Sequence, residues 1–303
     1  MNVDQLKSVV PRPVRRPLGV TRRWLRALPS RTLRQKMQLL RSNTLAPDEF
    51  DLLSKVDSRI SYEDGMYTGD GDHYFRVGLS AIQCINEALS RAQIKSIRNI
   101  LDLPCGYGRV LRFLAHRFPD ARITACELMP DAVEFCAKTF GATPAYSSED
   151  LKKLSFDTAF DLIWCGSLFT HLDQSRIGAL LDLFRRSLSA NALAVFTTHG
   201  ERVVKRMTAG EYDYAIAKES IPSIVSAYRE SGYGFTNYPN VNEYGVQGEV
   251  GYGISLTSPD WIRAQVKSAG KLQEVYFRAH GWDDHQDVFG FVRSRESQTE
   301  AGG

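Results

Sequence analysis

Two carboxylates, two glycines and two histidines stand where ligand chemistry could occur. Asp102 closes a short apolar run and is followed by the turn "DLPCGYGRV", which carries Gly106 and Gly108. A helical pattern follows, then a second apolar run that ends in Glu127. Glycines let a backbone come close to a ligand, and the helix beginning near Arg109 turns its unpaired N–H groups toward the same place. A carboxylate at the end of the second run suits a cis-diol, to which two charge-assisted hydrogen bonds give about 1.5–3 kcal/mol each. The turn is not a phosphate cradle. Leu111 occupies the position of the third glycine of G-x-G-x-x-G, and no Gly-Lys-Ser/Thr follows. Pro104 stands where such turns usually begin with glycine. His171 in "SLFTHLD" and His199 in "TTHG" also follow apolar runs. Histidine is the usual general base near neutral pH, and a loop residue bonded to backbone is the alternative for His171.

These residues need elements to hold them. Apolar runs at 97–103, 122–127, 143–146, 160–165 and 193–198 read as strands, and helical spacing fills the intervals, most clearly at Ile177, Leu180, Leu181, Phe184 and Leu188. Such alternation predicts an α/β fold with a doubly wound, mostly parallel sheet, whose ligands bind beyond the carboxyl ends of the strands. The alternation stops between Gly200 and Thr257, a segment holding seven of the 13 tyrosines. A helix at 259–268 and two runs at 272–279 and 287–293, joined by "HGWDDHQ", read as a closing antiparallel pair.

The stretches "ILDLPCGYGR", "ITACELMPDAVEFC" and "FDLIWCGSLFTHL" resemble the class I S-adenosylmethionine (SAM)-dependent methyltransferases over roughly residues 95–200. The resemblance implies a Rossmann-like sheet of seven strands with an antiparallel terminal strand, SAM as cofactor and S-adenosylhomocysteine (SAH) as product. Asp102, Pro104, Gly106 and Gly108 answer the family's acid–glycine turn, with Pro104 as the departure. The backbone around Pro104, Cys105, Gly106 and Gly108 would border the methionine portion, with Asp102 organising the turn or meeting the methionine ammonium through water. Glu127 would accept both ribose hydroxyls. Leu128 would pack on adenine, Ser147 and Ser148 would meet its edge, and Cys165, Gly166 and Ser167 would lie under the sulfonium. His171 and His199 are the candidate bases. "DLPCG", "IWCGSLFTHL" and "HGWDDHQDV" look like bacterial methyltransferases found with surface-glycan enzymes. The expected reaction is O-methylation of a glycan or small polar metabolite. The alternatives are a protein or RNA methyltransferase docking through its tail, and a non-catalytic SAM-binding regulatory subunit.

Charge divides the chain. Residues 1–41 carry 11 Lys/Arg and one acid, whereas the remainder has 27 basic and 34 acidic residues. The reading is a basic extension (1–41), a helical lead-in (42–95) and a SAM-binding domain (96–303) with a Tyr-rich lid at 200–257. The extension suits an anionic membrane surface or an acidic partner, and is Arg-rich like a transit peptide. The acidic body argues against nucleic acid, which needs a basic groove. Five scattered cysteines without CxxC pairs imply reduced thiols and no metal site, hence a cytoplasmic protein, which the basic extension would allow to sit peripherally at the inner face of the membrane.

Overall fold

The computed structural model describes residues 23–239 and 251–293. Three helices lead in: α1 (Pro29–Leu40), α2 (Pro47–Lys55) and α3 (Gly71–Ala92). α1 and α2 begin with proline, whose missing N–H lies among the unpaired donors of a first turn. The Asp70 carboxylate caps α3 by accepting from the His73 N–H. α1 belongs to the basic extension by sequence, yet it is docked. Leu39 is buried, and the Lys36 ammonium donates to the carbonyls of Ser54 (2.9 Å) and Val56 (2.5 Å) at the end of α2. Residues 1–22 lie outside the described residues.

The sheet then forms in alternation: β1 (Asn99–Asp102), α4 (Leu111–Arg117), β2 (Arg122–Glu127), α5 (Pro130–Phe140), β3 (Thr143–Tyr146), β4 (Phe160–Cys165), α6 (Gln174–Ser187) and β5 (Leu188–Thr198). α7 (Glu201–Thr208), α8 (Ile221–Ser231) and the hairpin of β6 (Tyr233–Asn237) and β7 (Gly253–Thr257) follow. The chain closes with α9 (Pro259–Ala269), β8 (Leu272–Trp282) and β9 (Gln286–Arg293). The central sheet runs β3-β2-β1-β4-β5-β9-β8; β1 to β5 pair in parallel, and β9 is antiparallel to both its neighbours. The order reverses at β1, which pairs with β2 on one side and β4 on the other. That switch point opens the crevice beyond Asp102.

Helices cover both faces. One core gathers α3, α4 and the lead-in over Ile100, Ala125 and Leu193, and the other gathers α6 and α9 over Leu101, Ile163 and Phe196. The described part of the segment at 200–257 has a core of its own, from Val203, Val204 and Met207 to Ile254 and Leu256. The helix after the glycine turn starts at Leu111 rather than Arg109, because Arg109 and Val110 still belong to the turn.

Candidate cofactor and acceptor site

The turn after β1 is pinned from both sides. The Leu103 N–H donates to the Trp164 carbonyl on β4, and the Cys105 N–H to the Cys126 carbonyl on β2, both at 3.0 Å. Pro104 follows a cis peptide. Gly106 and Gly108 have φ of +47° and +77°, the region that favours glycine. Their surroundings differ. A Cβ on Gly108 would come within 2.5 Å of the Phe140 ring, whereas one on Gly106 would meet no atom within 4 Å. Gly108 therefore permits close packing of α5, and Gly106 borders open space.

Glu127 leans onto this turn. Its Oε2 accepts from the Gly106 N–H (3.2 Å) and its Oε1 from the Leu128 N–H (2.7 Å). A carboxylate has about four acceptor sites, so capacity remains for hydroxyl donors. Burial raises its pKa despite those backbone donors. Asp102 is more constrained. It is buried, and neither carboxylate oxygen has a hydrogen-bond partner among the described residues. Burial, with the nearby Glu127 charge second, holds its carboxyl well above the usual carboxylate range. An acid in that state suits a cationic or water-borne donor.

Past β2, Leu128 and Met129 present apolar side chains to solvent, 52% and 49% exposed. Such a shelf fits a flat ring, and the sequence reading had named only Leu128. The Ser147 N–H donates to the Glu127 carbonyl (2.8 Å), which places Ser147 beside the shelf; the Ser148 hydroxyl oxygen accepts from the Asp150 N–H in a local turn. Beyond β4, Cys165 is buried and Gly166 abuts the rings of Trp164 and Trp282. Ser167 sits at φ +62°. A polar ring of bonds fixes it: its N–H donates to Thr197 Oγ1 (2.8 Å), Thr197 donates to Gln286 Oε1 (2.5 Å), and Gln286 Nε2 donates to Ser167 Oγ (2.8 Å). Thr197 and Gln286 escaped the sequence reading, although Gln286 ends the "HGWDDHQ" stretch.

The two candidate histidines follow β4 and β5. His171 lies in a 3₁₀ turn (Phe169–His171), and its Nδ1 is 3.1 Å from the Gly253 carbonyl and 2.8 Å from the Tyr238 hydroxyl. A carbonyl can only accept, so that contact puts the proton on Nδ1 and the lone pair on Nε2. Burial lowers the pKa of His171. Burial also holds His199 well below the ordinary histidine value, with the charges of His171 and His285 adding to it. The rings of Tyr214 and His285 lie 5.3 and 5.5 Å from that of His199, and burial lowers His285 to about 4. The hairpin of β6 and β7 is fastened here: the Thr257 N–H donates to the His199 carbonyl (2.9 Å), and Ser255 Oγ to the Leu172 carbonyl. The structure thus brings together Asp102, the glycine turn and Glu127 at one end, and His171 with His199 at the other. Among the described residues, no cluster of three or more His, Cys, Asp or Glu could hold a metal, and no helix is long and apolar enough to cross a membrane.

Known proteins agree with this geometry. Residues 100–191 match the family described as a methyltransferase domain. Curated relatives include the malonyl-[acyl-carrier protein] O-methyltransferases of Acetivibrio thermocellus (25% identical over 42% of this chain and 44% of that protein) and Legionella pneumophila (30% identical over 46% and 51%). The chain thus spans about half the length of the curated relatives it matches. Among solved structures, the sugar N-methyltransferase KedS8 of Streptoalloteichus is similar with a TM-score of 0.50 at 17% identity, covering 76% of this chain and 92% of that one. Strand order and glycine turn give the chain the Rossmann-like fold of the class I SAM-dependent methyltransferases. Within that fold, residues 100–191 match a methyltransferase domain, preceded here by a helical lead-in and followed by the segment at 200–257.

Proposed function

We propose that this protein is a SAM-dependent methyltransferase acting on a hydroxyl of a glycan or small polar metabolite. One observation carries the cofactor assignment: the buried, unpaired carboxylate of Asp102 beneath a glycine turn that Glu127 already contacts. Asp102 would hold the methionine ammonium, directly or through water, and the turn from Pro104 to Gly108 would border the methionine chain. Glu127 would accept from the ribose hydroxyls, Leu128 and Met129 would support adenine, and Ser147 and Ser148 would meet its edge. Cys165, Gly166 and Ser167 would lie under the sulfonium. When bound, SAM supplies an electrophilic methyl group for in-line displacement, so much of the protein's task is positioning, worth about 7–11 kcal/mol.

A hydroxyl acceptor must lose its proton as the methyl arrives. His171 would take that proton, with Nδ1–H held by the Gly253 carbonyl and Nε2 bearing the lone pair. Its lowered pKa keeps it in the basic form at neutral pH. His199 shares the cluster and is the second candidate. Neutral histidines and the hydroxyls of Tyr238 and Tyr252 give polar, uncharged ring surfaces that suit a sugar. The names of the curated relatives favour a second reading, in which the acceptor is a carboxylate on a carrier and needs no base. The basic extension is the docking element in either case, toward an acidic partner or an anionic membrane face. Calorimetry with SAM and SAH, followed by an acceptor screen with labelled SAM, tests the proposal. Micromolar affinity for both is expected, and no heat with either, alongside tight binding of NAD, overturns it.

A further inference from the structure

Arg112 is fully buried and makes no direct ion pair among the described residues, yet every arm of its guanidinium is bonded. Nε donates to the Gly108 carbonyl (2.9 Å). Nη1 donates to the carbonyls of Asp57 (3.0 Å) and Arg59 (2.8 Å). Nη2 reaches the Tyr74 hydroxyl (3.2 Å) and the Tyr107 carbonyl (3.4 Å). Tyr74 in turn donates to Asp64 Oδ2 (2.7 Å), and the rings of Tyr74 and Phe140 lie 5.2 and 5.0 Å from the guanidinium carbon. Burying a cation is costly unless it is fully bonded, so this arrangement is demanding of its parts. Only the planar five-donor fork of arginine can serve so many acceptors at once.

The consequence falls on the glycine turn. In a trans peptide the carbonyl and the next N–H point in opposite directions. Arg112 draws the carbonyls of Tyr107 and Gly108 inward, toward the lead-in. The peptide plane that carries the Gly108 carbonyl also carries the Arg109 N–H, which therefore points away from the guanidinium. Residues 57–74 supply the other half of the clamp, and they precede the matched domain, which starts at residue 100.

We propose that Arg112 is a positioning residue for the cofactor turn, and that it makes the lead-in at 57–74 a working part of the cofactor site. The proposal rests on the SAM-binding reading and adds to it that the matched domain does not hold its cofactor turn alone. The experiment uses the full chain with Arg112→Lys, which keeps the charge but not the fork, and Tyr74→Phe, which removes only the hydroxyl. SAH affinity is measured by calorimetry, and amide hydrogen exchange is followed at 57–60 and 104–109. Arg112→Lys should weaken SAH binding roughly tenfold or more and Tyr74→Phe severalfold. In both variants, exchange should quicken at both segments together while the strands of the sheet stay protected. Folded variants with unchanged SAH affinity, or with exchange that rises in one segment alone, overturn the proposal. Should the wild-type chain bind no SAH, the cofactor reading fails, while the coupled exchange still decides whether Arg112 ties the two segments. If Arg112→Lys does not fold, Tyr74→Phe alone carries the same two readouts.

Discussion

Burial raises the pKa of both Asp102 and Glu127, and the Glu127 charge raises that of Asp102 further. For Asp102 the sign of a binding effect follows. Without a cation the buried acid keeps its proton up to an unusually high pH; beside an ammonium it ionises. SAM binding should therefore release a proton at pH values below the raised pKa, and affinity should climb as pH rises through it. Calorimetry in two buffers of different ionisation heat measures the release, and identical heats would remove the ammonium from Asp102. Glu127→Ala should raise the SAM dissociation constant at least about tenfold, or 1.4 kcal/mol, through lost charge-assisted bonds; an unchanged constant would put the ribose elsewhere. His171→Ala should lower turnover about 10²–10⁴-fold while SAM affinity stays within a few fold. Because burial lowers the pKa of His171, the acid limb of the wild-type profile should fall below the usual histidine value of about 6.5. Survival of both turnover and limb in the variant would favour the carboxylate acceptor, which needs no base.

The glycine turn separates two roles that a sequence motif merges. Gly108 and Gly106 both take a left-handed backbone, so an alanine at either position costs about 1–2 kcal/mol in conformation. At 108 the new methyl also strikes the Phe140 ring, and at 106 it enters open space. Gly108→Ala should consequently lower the melting temperature more, whereas Gly106→Ala should weaken SAM binding more for the stability it loses. Thermal scans beside calorimetry compare them, and the reverse ranking would mean that the open side of Gly106 is not the ligand side. The lid acts at this scale too. Its hairpin supplies the Gly253 carbonyl, and the adjoining Tyr238 supplies the hydroxyl, that together orient His171. The glycine turn was legible because a left-handed backbone selects glycine through its immediate neighbours alone.

Across the whole molecule, the division of the chain by charge and its division by packing differ. The reading from composition ended the basic extension at residue 41, but Leu39 and Lys36 of α1 are buried against the lead-in. Removing residues 1–22 should leave melting temperature and SAM affinity unchanged. Removing 1–41 should lower the melting temperature clearly, since a buried leucine truncated to alanine alone costs about 2–5 kcal/mol. Equal stability of the two truncations would mean that α1 adds nothing to the core. In the segment at 200–257, Val203, Val204, Met207, Ile254 and Leu256 form a core separate from the two that cover the sheet.

The sequence by itself determined the alternating strands and helices, the glycine turn that ends β1, and the acids at the ends of β1 and β2. These depend on local periodicity: buried parallel strands must be apolar, helices repeat every 3.6 residues, and a left-handed turn selects glycine. Tertiary structure alone decided which distant groups would satisfy one another. His171 takes its orientation from Gly253 and Tyr238, 82 and 67 residues away, and Ser167 is held by Gln286 at a separation of 119. Arg112 finds its partners at residues 57, 59 and 74, well before it in the chain. A buried polar group must find partners, but which partners it finds depends on where the chain returns, and no local pattern records that return.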